Sequence, residues 1–316
     1  MTNLDLRDEA VVCANRHPDN WEAHMTVLVI GEALLDVTRD ETSTRSVPGG
    51  SPANVALGLA RLGRETVLHT SIGDDEAGRA IRAHLEASGV RLTGTSISER
   101  RTSSATAELS AGGDARYEFD ISWQPAPPRT EGFEIVHTGS IGAWLAPGAE
   151  VVARALEAAR ASGSLVTFDP NVRPTLIDDA AAVRDAISAR IATADVVKLS
   201  DEDAAWIYPG FDDDDVLDAV LAAGARVAAI TKGGEGAVIA SQEHRIARPS
   251  APVAVADTIG AGDTFMTILV DALVEDSALL EGDRDHLKRT LDRALRAASI
   301  TVSRAGADLP WGRDLT

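Results

Sequence analysis

The sequence predicts an α/β protein: a mostly parallel central sheet flanked by helices, with a small β lid projecting from it. Three observations carry this expectation. Short apolar runs alternate with helix-length stretches along most of the chain, the rhythm of a parallel sheet covered on both faces. Between residues 104 and 121 that rhythm gives way to two alternating strands, which read as a hairpin. At 316 residues the chain is long enough to bury a large core without disulfide or metal staples.

Taken in order, residues 1–24 contain Asp5, Arg7, Asp8, Glu9, Pro18 and Asp19 and no sustained periodicity. They read as a loose extension with a short helix around residues 4–13. Met25, directly before the first strand, is an alternative start, and the main domain is expected over 25–316. Residues 27–31 form a short apolar run, read as a buried strand. A helix opens at Ser51-Pro52 and runs through Leu62, with Ser51 as cap, Pro52 in the first turn and Gly63 as terminator. Further strands are expected at 66–71, 135–138, 165–169, 196–199 and 227–231, and helices at 76–87, 147–161, 180–192 and 213–223. Strands at 104–110 and 115–121 flank an Ala111-Gly112-Gly113-Asp114 turn and, with residues 36–47, build the lid. A second hairpin, 237–240 with 244–247, is expected at the sheet edge. The carboxylate run Asp212–Asp215 complements the positive end of a helix.

Composition excludes several classes of function. Thirty basic against 49 acidic residues give a net charge of −19, which leaves no broad basic surface for nucleic acid. It suits a self-repelling protein that handles small molecules. The single Cys13 cannot pair internally, which fits a reducing cytoplasm. No apolar run approaches the roughly 18 residues of a membrane span. Residues 1–24 lack the apolar stretch of a signal peptide. The expected setting is cytoplasmic, with no membrane partner.

The segment most informative about chemistry is Asp257-Thr258-Ile259-Gly260-Ala261-Gly262-Asp263-Thr264-Phe265, which opens an apolar helix running to about Val274. Backbone N–H groups at such a helix start bind anions, and the small residues let a phosphate approach. Asp263, on the first turn, can take a proton from an attacking hydroxyl. A plain glycine-rich turn would explain Gly-Ala-Gly alone; Asp257 six residues upstream weakens that reading. A second segment runs Gly31-Glu32-Ala33-Leu34-Leu35-Asp36 and then Gly49-Gly50-Ser51-Pro52-Ala53-Asn54. Asp36 follows the first strand, where open α/β sheets bind ligands. A carboxylate, an amide and bare glycines suit a compound with several hydroxyl groups. No P-loop, dinucleotide fingerprint, protein-kinase signature or GxSxG is present. The seven histidines lack paired metal-ligand spacing, and His137 reads as a packed core residue.

Together the two segments resemble the pfkB/ribokinase family of carbohydrate kinases, fructokinase-like members in particular, over residues 27–311. The resemblance implies a ribokinase-like fold and ATP-dependent phosphorylation of a primary hydroxyl of a sugar. It implies Asp263 as general base with Gly260, Ala261 and Gly262 as anion hole, and Asp36, Gly49, Gly50 and Asn54 as sugar site. Thr231-Lys232-Gly233-Gly234 resembles the family's nucleotide-binding turn, with Lys198 and Ser200 on the nucleotide side. Asp257 and the carbonyl of Ile259 resemble ligands of a monovalent cation, expected to be K⁺, completed near Thr301, Arg304 and Gly306. Asp169-Pro170-Asn171-Val172-Arg173 resembles the Asp-Pro-Asn-x-Arg of fructokinase-like members, where Arg173 meets phosphates or sugar. At Ser200-Asp201-Glu202-Asp203 the chain departs from the Asn-x-x-Glu that many relatives use around Mg²⁺; Asp203 keeps an oxygen there with a shorter reach. The resemblance also implies a lid that closes over the sugar and a homodimer through that lid.

The lid strand Arg116-Tyr117-Glu118-Phe119-Asp120 offers Phe119 and Tyr117 as flat cover for a neutral ring, with acidic groups outnumbering Arg116. Fructose is therefore the expected substrate, ahead of ribose and the acidic 2-keto-3-deoxygluconate. Two other classes compete. A dehydrogenase or methyltransferase requires a complete glycine fingerprint after the first strand. A non-catalytic sugar sensor would be expected to lose Asp263 or the glycines before it.

Overall fold

The computed structural model describes residues 26–39, 43–109 and 115–316; the expected extension over 1–24, Met25 and the 111–114 turn lie outside the described residues. A nine-stranded sheet forms the centre. Its order from edge to edge is Arg245–Arg248, Ala237–Ala240, Val227–Thr231, Val196–Ser200, Leu165–Asp169, Ile135–Gly139, Val27–Ile30, Thr66–His69 and Arg91–Leu92. The strands from Val227–Thr231 to Arg91–Leu92 pair in parallel, and the expected hairpin at 237–248 adds the antiparallel edge. Val27–Ile30 is buried along its whole length, which is why it reads as an unbroken apolar run rather than an alternating one.

Two cores sandwich the sheet. On one face the helices Ser51–Arg61, Ala261–Glu275 and Arg284–Val302 pack over Val27, Val29 and Val196; on the other, Gly148–Ala161, Ala180–Ile191 and Asp213–Ala222 pack over Leu28, Ile30 and Val197. The Arg284–Val302 helix was not among the expected elements. Its signal is present all the same: Asp283 caps it, and Leu287, Leu291, Ala294 and Ala297 recur on one buried face. The Asp212–Asp215 run does what its charges suggest, with Asp212 accepting from the Asp215 N–H at the helix start.

The helices carrying the two informative segments lie against each other. A Cβ on Gly58 would meet Thr267 Oγ1 at 2.7 Å and Leu309 Cδ2 at 2.7 Å, so the contact is closed to any larger residue. This contact lies one turn down from Asn54 on one helix and one turn down from Asp263 on the other.

Above the sheet projects a four-stranded sheet in the order Thr44–Gly49, Leu34–Arg39, Ser103–Leu109, Ala115–Asp120. Its central pair is parallel and the two outer pairs are antiparallel. Asp36 pairs with Ala105, and Ala105 with Phe119, so these three share one face of the lid. Phe119 is half-buried there, as a ring on the inner side of a cover would be. Among the described residues, no helix is long and apolar enough to cross a membrane.

Candidate active site

The candidate residues gather at the C-terminal edge of the parallel strands. Segments leaving that edge carry Glu32 after Ile30, Ser140 after Gly139, Asn171 and Arg173 after Asp169, and the turn after Thr231. Open α/β sheets bind ligands at this edge because the loops there are free to vary while the strands hold them in place. Ser140 and Asn171 have φ of 52° and 38°, left-handed values for residues with side chains, and both stand at this edge.

Asp263 is the centre of the arrangement. It is 7% exposed, and its two oxygens are held separately. Ser51 Oγ donates to Oδ1 at 2.6 Å and Asn54 Nδ2 donates to Oδ2 at 2.7 Å. Ser51 was expected as a helix cap. The cap position belongs instead to Gly50, whose φ of 104° turns the chain so that Ser51 enters the helix with its hydroxyl aimed at Asp263. A Cβ on Gly50 would also strike the Glu32 carbonyl at 2.7 Å. Gly260, at φ 81°, performs the equivalent turn before the second helix, and Gly262 and Asp263 occupy its first turn. First-turn N–H groups have no intrahelical acceptor, so this turn presents donors beside a fixed carboxylate.

Asp36 lies across from Asp263. Gly49 is required for its position, since a Cβ there would run into Asp36 Oδ2. Burial pushes the Asp36 carboxyl up to about 6; Arg173 pulls it back and the charge of Asp263 adds to the rise. Arg173 is held by Asn171, its guanidinium donating to the Asn171 side chain and carbonyl and to the Val172 carbonyl. Glu32, a residue the sequence reading did not single out, is 2% exposed. Its Oε2 accepts from the Gly142 N–H at 2.8 Å, and burial raises its carboxyl to about 7. The lid side chains of Arg116 and Tyr117 lie outside the described residues.

On the other side of Asp263, Lys198 forms a buried ion pair with Asp169 at 2.9 Å. Asp203 has a definite structural task. Its Oδ2 accepts from the Ser200 N–H at 2.9 Å while the Ser200 hydroxyl accepts from the Asp203 N–H, a reciprocal cap. Its Oδ1 accepts from the Val172 N–H at 2.7 Å, fixing the loop that ends in Arg173. Thr231 leads into a tight turn with Gly233 at φ 49°, open space lies where Cβ atoms on Gly233 and Gly234 would sit, and Lys232 is tied to Asp213 at 2.9 Å. Ser250 Oγ donates to the Gly233 carbonyl at 3.0 Å. The apolar segment that follows exposes Val253, Val255 and Ile259 and leads into the Gly260 turn.

The five residues expected around a monovalent cation come together only in part. Asp257 Oδ1 accepts from the Ile259 N–H at 3.0 Å and Oδ2 from the Gly306 N–H at 2.9 Å, which joins the two loops. The Arg304 guanidinium is turned to Asp308 and Asp314, and the Thr301 hydroxyl is bonded to Thr264 at 2.7 Å. Arg304 and Thr301 can therefore contribute backbone carbonyls there, not side chains. A carboxylate plus carbonyl oxygens is a donor set suited to a hard cation of low charge.

A family profile described as pfkB family carbohydrate kinase matches residues 25–312. A fructokinase of Klebsiella pneumoniae is 32% identical over 308 residues, covering 92% of this chain and 97% of the relative. Among solved structures, a fructokinase of Xylella fastidiosa with bound ATP superposes with a TM-score of 0.81 at 25% identity, covering 93% of this chain and 97% of the other. An aminoimidazole riboside kinase of Salmonella enterica, solved with aminoimidazole riboside and an ATP analogue, superposes with a TM-score of 0.77 at 25% identity, covering 92% and 98%.

Proposed function

The chain belongs to the pfkB family of carbohydrate kinases, and we propose that it transfers the terminal phosphoryl group of ATP to a primary hydroxyl of fructose. The observation that carries this reading is the buried Asp263, held by Ser51 and Asn54 at the first turn of a helix whose N–H groups suit an anion. In this reading the sugar lies between the lid and the sheet edge, with Asp36 accepting from neighbouring hydroxyls and Phe119 covering the ring. Asn54 fixes Asp263 and borders the same space. The attacking oxygen bonds to phosphorus as the bond to ADP breaks, and its proton passes to Asp263. The first-turn N–H groups after Gly260, with Ala261 and Gly262, take the charge on the transferred oxygens. The Gly233-Gly234 turn meets the nucleotide's phosphates, with Thr231 and Ser200 beside it, and the exposed apolar segment at Val253, Val255 and Ile259 offers a surface to its base.

Among the described residues no cluster of three or more His, Cys, Asp or Glu could cage a metal ion. Mg²⁺ commonly arrives on the phosphates and keeps several waters; Asp203, expected beside it, is 3% exposed with each oxygen accepting a backbone N–H, from Ser200 and Val172, so its carboxylate serves the loop rather than the ion. Bound with ATP, such an ion would spread the charge of the phosphates. For the monovalent cation, Asp257 and the carbonyls of Ile259, Thr301, Arg304 and Gly306 would form the site beside the anion turn. Activity is expected to be higher in K⁺ than in Na⁺ or in a large organic cation at matched ionic strength. Equal initial rates in all three would remove the cation from this reading.

Two features favour a neutral sugar. Arg173 faces the carboxylates of Asp36 and Glu32, so its charge is already matched within the site. The curated relative and the ATP-bound neighbour named above are fructokinases. The test is kcat/KM for fructose, ribose and 2-keto-3-deoxygluconate at equal ATP and K⁺, with aminoimidazole riboside as a fourth arm. Fructose is expected to lead; preference for the acidic sugar would mean that Arg173 serves the substrate instead. Ionised Asp36 is the form that accepts hydroxyl hydrogens, and its carboxyl is raised to about 6. Hence kcat/KM for the sugar should rise as pH increases through about 6 and level off above it. A flat profile from pH 5 to 8 would contradict the assignment of Asp36. The lid is also the surface proposed for a second copy of the chain, and sedimentation of the purified protein tests that.

A further inference from the structure

The two strands at the centre of the lid run parallel, so no tight turn between them fixes their register. Leu34–Arg39 leaves the main domain directly after the first strand, whereas Ser103–Leu109 enters the lid only after the helices Ser51–Arg61 and Glu76–Ala87. The strand Ser-Ser-Ala-Thr-Ala-Glu-Leu also lacks the alternation of bulky apolar side chains that would lock it in place. A slip of one residue turns every side chain of a strand to its other face. The face shared by Asp36, Ala105 and Phe119 therefore depends on where Ser103–Leu109 is anchored.

Three consecutive residues build the anchor. Arg101 pairs with Asp120, and Ser103 Oγ accepts from the Ser122 N–H at 2.9 Å, which ties the outer strand Ala115–Asp120 alongside. Thr102, between them and 7% exposed, bonds to the main domain instead. Its N–H donates to Asp75 Oδ2 at 2.8 Å, and its hydroxyl donates to Asp75 Oδ1 at 2.6 Å and accepts from the Gly73 N–H at 2.9 Å. Asp75 also caps the helix Glu76–Ala87, its Oδ1 accepting from the Gly78 N–H at 2.7 Å. Capping needs only that one bond; the bonds to Thr102 do something else. Two glycines make room for them: a Cβ on Gly73 would meet Asp75 Oδ2 at 2.7 Å, and one on Gly78 would meet Thr102 Oγ1 at 2.9 Å. Burial would raise the Asp75 carboxyl, yet the bonds from Thr102 and Gly78 and the charge of Arg79 outweigh it and hold it below the usual carboxylate range.

We propose that Asp75 is a positioning residue for the sugar: by clamping Thr102 it sets the register in which Ser103–Leu109 brings Phe119 over Asp36, and it governs sugar affinity without touching the sugar. The proposal rests on the kinase reading above, with the lid as the cover of the sugar. Because Ser103–Leu109 pairs with Leu34–Arg39 on one side and Ala115–Asp120 on the other, one clamp at its foot places the whole outer half of the lid. The clamp is a footing rather than a hinge, so the movement that admits a sugar belongs to the strands beyond Ser103. The nucleotide side, at the far strands of the large sheet, does not depend on it.

The deciding experiment compares Asp75→Ser, Thr102→Val and Thr102→Ser with wild type, measuring Tm, kcat, KM for fructose, KM for ATP and amide hydrogen exchange over residues 103–109. Asp75→Ser keeps an oxygen able to cap the helix but offers one in place of two, which separates capping from clamping. Thr102→Val removes the hydroxyl and Thr102→Ser retains it. In Asp75→Ser and Thr102→Val, exchange over 103–109 should speed up and KM for fructose should rise about tenfold, while kcat and KM for ATP stay within about threefold of wild type. Thr102→Ser should behave as wild type. A lowered Tm with wild-type KM for fructose would reduce Asp75 to a helix cap and overturn the proposal. So would equal rises in KM for fructose and ATP, which indicate general distortion, or a Thr102→Ser protein as impaired as Thr102→Val. Wild-type protein that turns over none of the sugars would overturn the kinase reading itself, an outcome seen in the wild-type arm alone.

Discussion

Asp263→Asn is expected to lower kcat by about 10²–10⁴-fold, the range over which a positioned general base contributes. The variant keeps the shape of the site. The amide oxygen can accept the Asn54 N–H, and the amide nitrogen can donate to Ser51 once that hydroxyl rotates, so both contacts of the native carboxylate have a substitute. Folding should therefore be near native, and KM for the sugar should change much less than kcat. Asp263→Ala goes further, because it leaves the Asn54 amide and Ser51 hydroxyl without their partner in a buried place, and some loss of Tm is expected with the same loss of rate. Turnover in a folded Asp263→Asn protein within about threefold of wild type would take Asp263 out of the chemistry.

Gly49→Ala should be nearly as damaging, by a different route. The added methyl group falls where Asp36 Oδ2 now lies, and the strand pairing of Gly49 with Leu34 holds the backbone in place, so the carboxylate is the part that moves. Asp36 is the proposed acceptor for sugar hydroxyls. Hydrogen bonds to a charged group contribute about 1.5–3 kcal/mol each, so losing two lowers kcat/KM for the sugar by about 10²–10⁴-fold. KM for ATP should stay close to its wild-type value. Asp36→Ala should give the same phenotype, and the double variant should be no worse than either single one, because both act through one carboxylate. Additive losses, or an unaffected Gly49→Ala protein, would show that Gly49 does not act through Asp36.

Much of this site is legible in the chain because it depends on local backbone. Gly50 and Gly260 must take positive φ, and Gly49 must leave room for a neighbour on the adjacent strand; such demands restrict composition and leave Gly-Gly and Gly-Ala-Gly in the text. The alternation of buried strands and helices is legible for the same reason. What escaped the reading depends on contacts between distant segments. Ser51 looks like a cap until the fold brings it to Asp263, 212 positions away. Glu32 sits between unremarkable neighbours, and only burial against Gly142 makes its carboxyl unusual. Asp203 has the composition of a ligand, yet its oxygens tie the Ser200 cap to the loop of Arg173. The Arg304 guanidinium, near enough in sequence to suggest a cation site, is drawn off by Asp308 and Asp314.

The close seat of Gly58 against Thr267 bears on how such an enzyme can open and shut without losing register. One helix brings Asn54 and Ser51, the other brings Asp263 and the proposed anion turn, and the seam one turn below packs the two closely together. Whatever the lid does to admit a sugar, Asp263, the proposed base, does not have to be re-aimed on each cycle. The ordering of these groups is completed when the chain folds, so a catalytic cycle needs to order only the lid and the two substrates. Widening that seam by one methyl group would act at a distance, with no contact to either substrate. It would leave every proposed catalytic group present and shift the two halves of the site against each other.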